Sequence, residues 1–259
     1  MDPLRQVEVT RYVTPLREGG SLPAIVEADD SFLYVLKFRG AGQGIKALIA
    51  ELIGGELARM LELKVPEIVL ATVDPAFGRT EPDEEIQDLL KASEGLNLAL
   101  HYLSGAITYD PGVNRVDGVL ASKIVWLDAM LTNVDRSFRN TNMLMWHKEL
   151  WLIDHGASLY FHHAPDNWED QSVKPFAQIK DHVLLPLASE LEPVNKELKE
   201  KITENHLIEI MKLIPDEWLE LAYGNAAEGR ELYTGFLSRR LNVADKIIKE
   251  AEHARQGII

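Results

Sequence analysis

The chain of 259 residues contains no cysteine, and basic residues are scarce relative to acidic ones. Without cysteine it can form neither a disulfide framework nor a thiolate-ligated zinc or iron–sulfur site, so any metal must bind through Asp, Glu, Asn or His. With 27 Lys and Arg against 41 Asp and Glu, the formal net charge is −14. Duplex nucleic acids and anionic membranes attract basic surfaces, so we expect neither as a partner.

Long apolar runs are also missing. No stretch approaches the roughly 20 apolar residues that a membrane span needs, and the N-terminal residues show no signal-peptide pattern. The hydrophobic content of 46% is nevertheless too high for a chain that is mainly disordered. We therefore expect a folded cytoplasmic protein with a sizeable core, and the absence of cysteine fits a reducing compartment.

Patterns of polarity divide the chain into two parts. Alternating or β-rich segments predict strands at residues 7–13, 22–27 and 32–38. Between Ile45 and Leu63 apolar residues recur at helical spacing, which predicts an amphipathic helix with its charges on the other face. Beyond about residue 181 the apolar spacing is again helical. The order predicts an α+β fold, with strands first and mainly helices later.

The densest group of polar residues occupies positions 133–142, between a predicted buried helix and a predicted hairpin. Asp154 follows the second strand of that hairpin. Because a hairpin brings the chain back towards its start, we expect Asp154 to return to the region of Asp135 and Asn140. Phosphoryl transfer requires this set: one carboxylate to orient the attacking hydroxyl, and an Asn and an Asp to hold Mg²⁺.

The first part of the chain supplies a second group. Lys37 lies in an apolar predicted strand, and Glu51 lies on the helix that follows. A strand lysine paired with a helix glutamate is the arrangement that contacts phosphates in protein kinases. Glu56, about one turn further, is an alternative partner for the lysine. The turn Gly19-Gly20-Ser21 lies between two strands before Lys37, where backbone N–H groups would cover phosphates.

The ordered set of motifs resembles the HipA-like kinase family, in particular its shorter branch without an extra N-terminal subdomain. The resemblance spans roughly residues 7–163. Its motifs are Glu18-Gly19-Gly20-Ser21-Leu22-Pro23, Tyr34-Val35-Leu36-Lys37-Phe38, Ala50-Glu51, Leu57-Ala58-Arg59, Val65-Pro66-Glu67, Asn133-Val134-Asp135-Arg136 with Asn140, and Ile153-Asp154-His155-Gly156. The spacing of Asp135-Arg136 and Asn140 is also similar to that in phosphoinositide kinases.

The resemblance implies a two-lobed protein-kinase-like fold, with a β-rich N-lobe over residues 1–103 and a mainly helical C-lobe over residues 104–259. A hinge near residues 98–103 would receive adenine through backbone groups. The nucleotide contacts implied within it are His101, Tyr102 and Leu103, together with Gly19, Gly20, Ser21 and Lys37 elsewhere.

The resemblance also implies roles in the reaction. Lys37 would contact the α- and β-phosphates and pair with Glu51, and Asp135 would be the catalytic base or hydroxyl-orienting carboxylate. Asn140 and Asp154 would bind Mg²⁺. The prediction is therefore an ATP- and Mg²⁺-dependent kinase that phosphorylates a hydroxyl acceptor. A protein Ser or Thr is the implied acceptor, and a small-molecule hydroxyl stays open.

Two alternative functions and one alternative metal ligand are kept beside this prediction. HipA-type loops usually carry His two residues after the catalytic Asp, whereas this chain has Ser137. A catalytically weak nucleotide-binding module of the same fold is therefore the alternative function, and Asn142 is an alternative metal ligand. Four histidines also suggest a weaker hypothesis, a zinc or other metal hydrolase; they are His147, His155, His162 and His163.

Overall fold

The computed structural model describes residues 2–16, 22–42, 44–74, 76–77 and 83–258. Within these residues, five strands near the N-terminus close into a barrel in the order β1-β2-β3-β5-β4. They are β1 (Gln6–Pro15), β2 (Ala24–Ala28), β3 (Leu33–Lys37), β4 (Ile68–Val73) and β5 (Gly95–His101). The strands predicted in the first forty residues are thus present, with ends shifted by one or two residues.

The barrel closes through a pairing that local patterns did not predict. Neighbouring strands are antiparallel except β1 and β4, which pair in parallel with Gln6 opposite Leu70. Strand β3 lies between β2 and β5, and its Tyr34 and Leu36 side chains are fully buried. Because side chains alternate along a strand, Lys37 at the end of β3 lies on the opposite side from Leu36, away from the barrel interior.

Helix α1 (Gly44–Met60) follows the third strand, as predicted, but its environment differs from the prediction. The amphipathic interpretation was wrong, because α1 is buried on all sides from Leu48 to Ala58, including Glu51 and Glu56. Helices from the second half of the chain and strand β5 pack against it. Burial of two carboxylates in one helix requires compensating partners, since an isolated buried charge is strongly unfavourable.

The second half of the chain is mainly helical. A short strand β6 (Ile107–Thr108) joins the predicted hairpin, β7 (Met143–Trp146) and β8 (Glu149–Leu152), in a small sheet. Helix α2 (Glu84–Ala92) precedes β5. The later α-helices in the described residues are α3 (Gly118–Leu131), α4 (Trp168–Ser172), α5 (Leu191–Lys201), α6 (Glu204–Lys212), α7 (Asp216–Tyr223), α8 (Ala226–Asn242) and α9 (Ala244–Gln256). In the described part of the chain, no helix is long and apolar enough to cross a membrane.

Helix α7 holds the helical part of the chain against the barrel through non-covalent contacts. It packs against α1. The indole Nε1 of its fully buried Trp218 donates to the carbonyl of Leu96 at 3.2 Å, and Glu217 pairs with Arg39 just beyond β3. These contacts place a late segment of the chain directly behind the helix that carries Glu51.

Candidate active site

The site is organised around Lys37, at the end of β3. Its Nζ lies 2.7 Å from Oε2 of Glu51 and 2.6 Å from Oδ1 of Asp154. The Lys37 side chain is 13% exposed and that of Glu51 is 1% exposed, whereas Asp154 is 44% exposed. One ammonium group therefore joins a buried carboxylate to a carboxylate that faces solvent, and the lysine and Asp154 are 117 positions apart in sequence.

The charges of this group stabilise one another. Burial alone would lower the pKa of Lys37, but the adjacent Asp154 and Glu51 carboxylates outweigh it and raise that pKa above its ordinary value. Burial would raise the pKa of Glu51, but the Lys37 charge and hydrogen bonding from His155 lower it well below the ordinary range. Lys37 is therefore a fixed cation and Glu51 a fixed anion near neutral pH.

The structure separates the two glutamates that were candidates for pairing with Lys37. Glu51 contacts Lys37 and also accepts the backbone N–H of His155 at 2.7 Å. Glu56 instead lies 3.4 Å from Nε of Arg59, and burial raises its pKa. Glu51 is thus the pairing residue in this geometry, and its second contact joins α1 to the segment that carries Asp154.

Close packing keeps that segment against α1. Gly54 has no side chain, and a Cβ placed there would lie 2.6 Å from Cβ of His155. The imidazole of His155 is fully buried, and neither of its nitrogens has a hydrogen-bond partner in the described residues. A glycine in mid-helix costs about 1 kcal/mol relative to alanine, so the close approach of His155 is the reason for its presence here.

Asp135 lies in the loop after α3 and is partly exposed, and the side-chain amides of Asn140 and Asn142 are directed at its carboxylate. Nδ2 of Asn140 donates to Oδ2 of Asp135 at 3.1 Å, and Nδ2 of Asn142 donates to the same oxygen at 3.3 Å. Asn142 also donates to the backbone carbonyl of Asp135 at 2.7 Å. The carboxylate is therefore oriented by two amides before any acceptor is present.

The residues predicted to hold Mg²⁺ offer suitable oxygen atoms. Within the described residues, Oδ2 of Asp154 and Oδ1 of Asn140 accept no hydrogen bond, since Lys37 contacts the other Asp154 oxygen and Asn140 donates through its nitrogen. Mg²⁺ prefers such hard oxygen ligands and usually keeps several waters. The loop and the strand end are adjacent, because Ile153 N–H donates to the carbonyl of Asn142 at 3.1 Å. The donor set fits the ion.

The structure describes only some of the residues that are predicted to contact the nucleotide. Gly19, Gly20 and Ser21 lie outside the described residues. Residues 98–101 of the predicted hinge belong to β5, which pairs with β3 on one side and β4 on the other. The N–H groups of His101 and Tyr102 donate to the carbonyls of Glu67 and Leu33 at 2.9 Å each. The connection between the two parts of the chain therefore starts at Tyr102, and Leu103 is buried beside it.

The histidines do not assemble into a metal centre. Among the residues that the structure describes, no group of three or more His, Asp or Glu could hold an ion. Nε2 of His162 lies 3.1 Å from Nε2 of His163, and its Nδ1 lies 3.0 Å from the hydroxyl of Tyr233. This pair is a hydrogen-bonded cluster near α8, and the metal-hydrolase hypothesis finds no support in it.

Comparison with known sequences identifies the family. Residues 8–244 match the family described as HipA-like kinase. This chain belongs to the HipA-like kinase family. The family prediction is confirmed, and membership of this family supports a kinase function in general terms. No curated protein sequence matches this HipA-like kinase.

A solved structure agrees with the fold of this HipA-like kinase. The Helicobacter pylori proinflammatory kinase CtkA aligns with a TM-score of 0.59 at 14% identity, covering 99% of both chains. This likeness confirms the predicted kinase-like fold. Two structures of the Golgi casein kinase, the second with Mn/ADP bound, align with TM-scores of 0.49 and 0.48 at 12% and 11% identity. They cover 97% and 99% of this chain and 73% and 75% of theirs.

Sequence analysis placed Arg136 in a motif of this HipA-like kinase but assigned it no role. Arg136, next to Asp135, is fully buried and pairs with Asp128 of α3. A signal was present, because Asp128 interrupts an otherwise apolar helix from Ile124 to Leu131. A carboxylate in such a run must find a buried partner, although the pattern does not say which one.

Proposed function

We propose that this HipA-like kinase is an ATP- and Mg²⁺-dependent enzyme that transfers the γ-phosphoryl group to a hydroxyl acceptor. The observation that carries the proposal is the contact of Lys37 with both Glu51 and Asp154. The segment of Asp154 is joined to the loop of Asp135 by the bond from Ile153 N–H to the carbonyl of Asn142. Enzymes of this class act mainly by positioning and by neutralising charge on the phosphates. A buried, permanently charged lysine joined to a solvent-facing carboxylate suits that task.

Each side chain then has a defined task. Lys37, held by Glu51, presents an ammonium group to phosphate oxygens. Asn140 and Asp154 would hold Mg²⁺, which supplies charge neutralisation between phosphates when bound. Asp135, oriented by the Asn140 and Asn142 amides, would accept a hydrogen bond from the acceptor hydroxyl and direct its oxygen towards the phosphorus.

For the acceptor we propose a protein Ser or Thr. Two apolar side chains flank Asp135 on its loop: Val134 is 47% exposed and Phe138 is 63% exposed. Exposed apolar groups beside a reacting carboxylate suit a neighbouring apolar residue of a polypeptide better than a small polar metabolite, since burying them on binding is favourable. Arg139 beside them is exposed as well.

The test combines nucleotide binding with transfer. Calorimetric titration of ATP with and without Mg²⁺ is performed on wild type, Asp135→Ala and Asp154→Ala, with the exposed Asp170→Ala of α4 as control. Transfer is followed with radiolabelled ATP and the phosphorylated residue is identified by mass spectrometry. We expect Asp135→Ala to abolish transfer and spare binding, Asp154→Ala to weaken Mg²⁺-dependent binding, and the control to match wild type.

The outcomes separate the alternatives. Full activity of Asp135→Ala would show that the base is assigned wrongly. Nucleotide binding by wild type without transfer to any hydroxyl would instead support the non-catalytic binding module. Absence of Mg²⁺-dependent binding in wild type would overturn the proposal itself.

A further inference from the structure

The carboxylate of Asp128 is fully buried in α3 and is hydrogen-bonded through both oxygens. Oδ1 accepts from Nδ2 of Asn133 at 2.9 Å. Oδ2 accepts from Nε of Arg136 at 2.6 Å and from Nε2 of His182 at 2.9 Å. Burial would raise the pKa of Asp128, but the Arg136 charge and the His182 hydrogen bond lower it well below the ordinary range. The group is thus a permanent buried anion with three donors.

Two of the three donors flank Asp135 in sequence. The side chain of Asn133 accepts the backbone N–H of Asp135 at 3.1 Å while it donates to Asp128. On the other side, a guanidinium nitrogen of Arg136 donates to the carbonyl of Asn142, whose amide in turn donates to Asp135. Two separate chains of hydrogen bonds therefore run from Asp128 to Asp135, one before it and one after it.

The third donor joins a distant segment to the same loop. Nδ1 of His182 accepts the N–H of Leu184 at 3.0 Å, which leaves the proton on Nε2 for Asp128. The backbone of His182 forms a bridge with Ser137, and Val183 N–H donates to the carbonyl of Arg136 at 3.0 Å. The loop is consequently held between α3 and the segment at 182–184.

Stability alone is a weak reason for such an arrangement. Replacing a buried ion pair by apolar residues is often neutral or stabilising, so the benefit of the pair lies elsewhere. Here the Asp128 carboxylate holds Asn133 and Arg136, which lie before and after Asp135 in the sequence. We infer that Asp128 is a positioning residue that holds Asp135 in its reactive orientation through Asn133, Arg136 and His182. This inference rests on the proposed function.

The experiment compares Asp128→Asn with Asp117→Asn. Asp117 caps the first turn of the same helix, is exposed, and has no contact with the loop, and Asn caps as well as Asp. Asp128→Asn places an amide NH₂, which is itself a donor, opposite side chains that donate to the carboxylate in wild type. We expect a loss of about 100-fold in kcat, as for displacements near 1 Å, with Kd for Mg·ATP within about two-fold of wild type. Asp117→Asn should match wild type in both.

A second readout does not depend on activity. Arg139 is exposed whereas Arg136 is buried, so trypsin can cleave this loop after residue 139. We expect native-state cleavage there to be at least about ten-fold faster in Asp128→Asn, because local opening governs proteolysis. If wild type proves inactive, the proposed function fails, and the cleavage rates alone still decide whether Asp128 holds the loop.

Controls separate positioning from simple destabilisation. Leu198→Ala, in the core of α5 and away from the loop, lowers the melting temperature without touching the network. If it loses as much kcat as Asp128→Asn at equal Tm, or if Asp128→Asn keeps wild-type kcat and cleavage, the inference is overturned. Should Asp128→Asn fail to fold, His182→Gln and His182→Phe replace it. We expect Gln, which can donate to Asp128, to retain at least about ten-fold more activity than Phe.

Discussion

Two adjacent glycines in α1 provide a matched test of how this helix supports the site. A Cβ at Gly54 would lie 2.6 Å from Cβ and 2.9 Å from Cγ of His155, atoms close to the backbone. A Cβ at Gly55 would meet chiefly the terminal Cδ1 of Ile68, which can rotate away. The same substitution, Gly→Ala, therefore has different consequences at neighbouring positions of one helix.

The magnitude follows from two opposing effects. Alanine improves helix propensity by about 1 kcal/mol, whereas overpacking of a core costs about 1–3 kcal/mol. For Gly54→Ala the net effect is a loss of about 0–2 kcal/mol in the free energy of unfolding. Ordinary contact begins near 3.4 Å, so His155 must shift by about 0.8 Å. Since His155 follows Asp154 and donates to Glu51, we expect kcat to fall by about 10- to 100-fold.

The assay measures melting temperature, Mg·ATP affinity and phosphoryl transfer for Gly54→Ala and Gly55→Ala. We expect Gly55→Ala to keep transfer within about three-fold of wild type, because only a flexible side-chain end must move. Equal transfer rates in the two variants would refute the argument that contact with His155 sets the geometry of Asp154. Loss of transfer in Gly55→Ala alone would refute it as well.

Two further predictions concern charge. Glu51→Gln should lower the free energy of unfolding by about 3 kcal/mol and weaken Mg·ATP binding, because it leaves Lys37 with Asp154 alone. Denaturation and calorimetry measure both quantities, and the control Glu56→Gln should change neither. Equal losses of stability and binding in the two variants would contradict the pairing of Glu51 with Lys37. Burial, with the His163 and Lys46 charges, lowers the pKa of His162 to about 3 from 6.5, so the unfolded chain takes up its proton first and stability falls as pH decreases from 6.5 towards 3. By pH 5 this amounts to about 2 kcal/mol. Burial also lowers the pKa of His182, so wild type and His162→Gln should both lose stability between pH 7 and 5 in urea unfolding. The loss should be smaller by about 2 kcal/mol in His162→Gln, and parallel pH profiles would disprove the prediction.

Local patterns were enough to locate the elements that carry several of the candidate site residues. Strand alternation identified β3 with Lys37, helical spacing identified α1 with Glu51, and the hairpin between Asp135 and Asp154 followed from two short apolar runs. Such signals arise from side chains that are neighbours in sequence. The contacts of Lys37 with Glu51 and Asp154 agree with the geometry expected from them, while the chemical roles of all these residues stay predictions.

What could not be predicted depends on partners far apart in sequence. The contact of Asp128 with His182 spans 54 positions, and nothing local marks the histidine. The prediction of an amphipathic α1 failed for the same reason, because the helices that cover α1 come much later in the chain. Hydrophobic periodicity reports one buried face, and it cannot show that other elements bury the opposite face too.

The contacts of α7 with the barrel have a consequence for the order in which the protein is made. Residues 216–223 leave the ribosome some 180 positions after Lys37, yet they cover the helix that carries its partner Glu51. A nascent chain that ends before α7 lacks the bond from Trp218 to Leu96 and leaves α1 exposed on that side. Under the proposed function, nucleotide binding should therefore begin only after translation of α7.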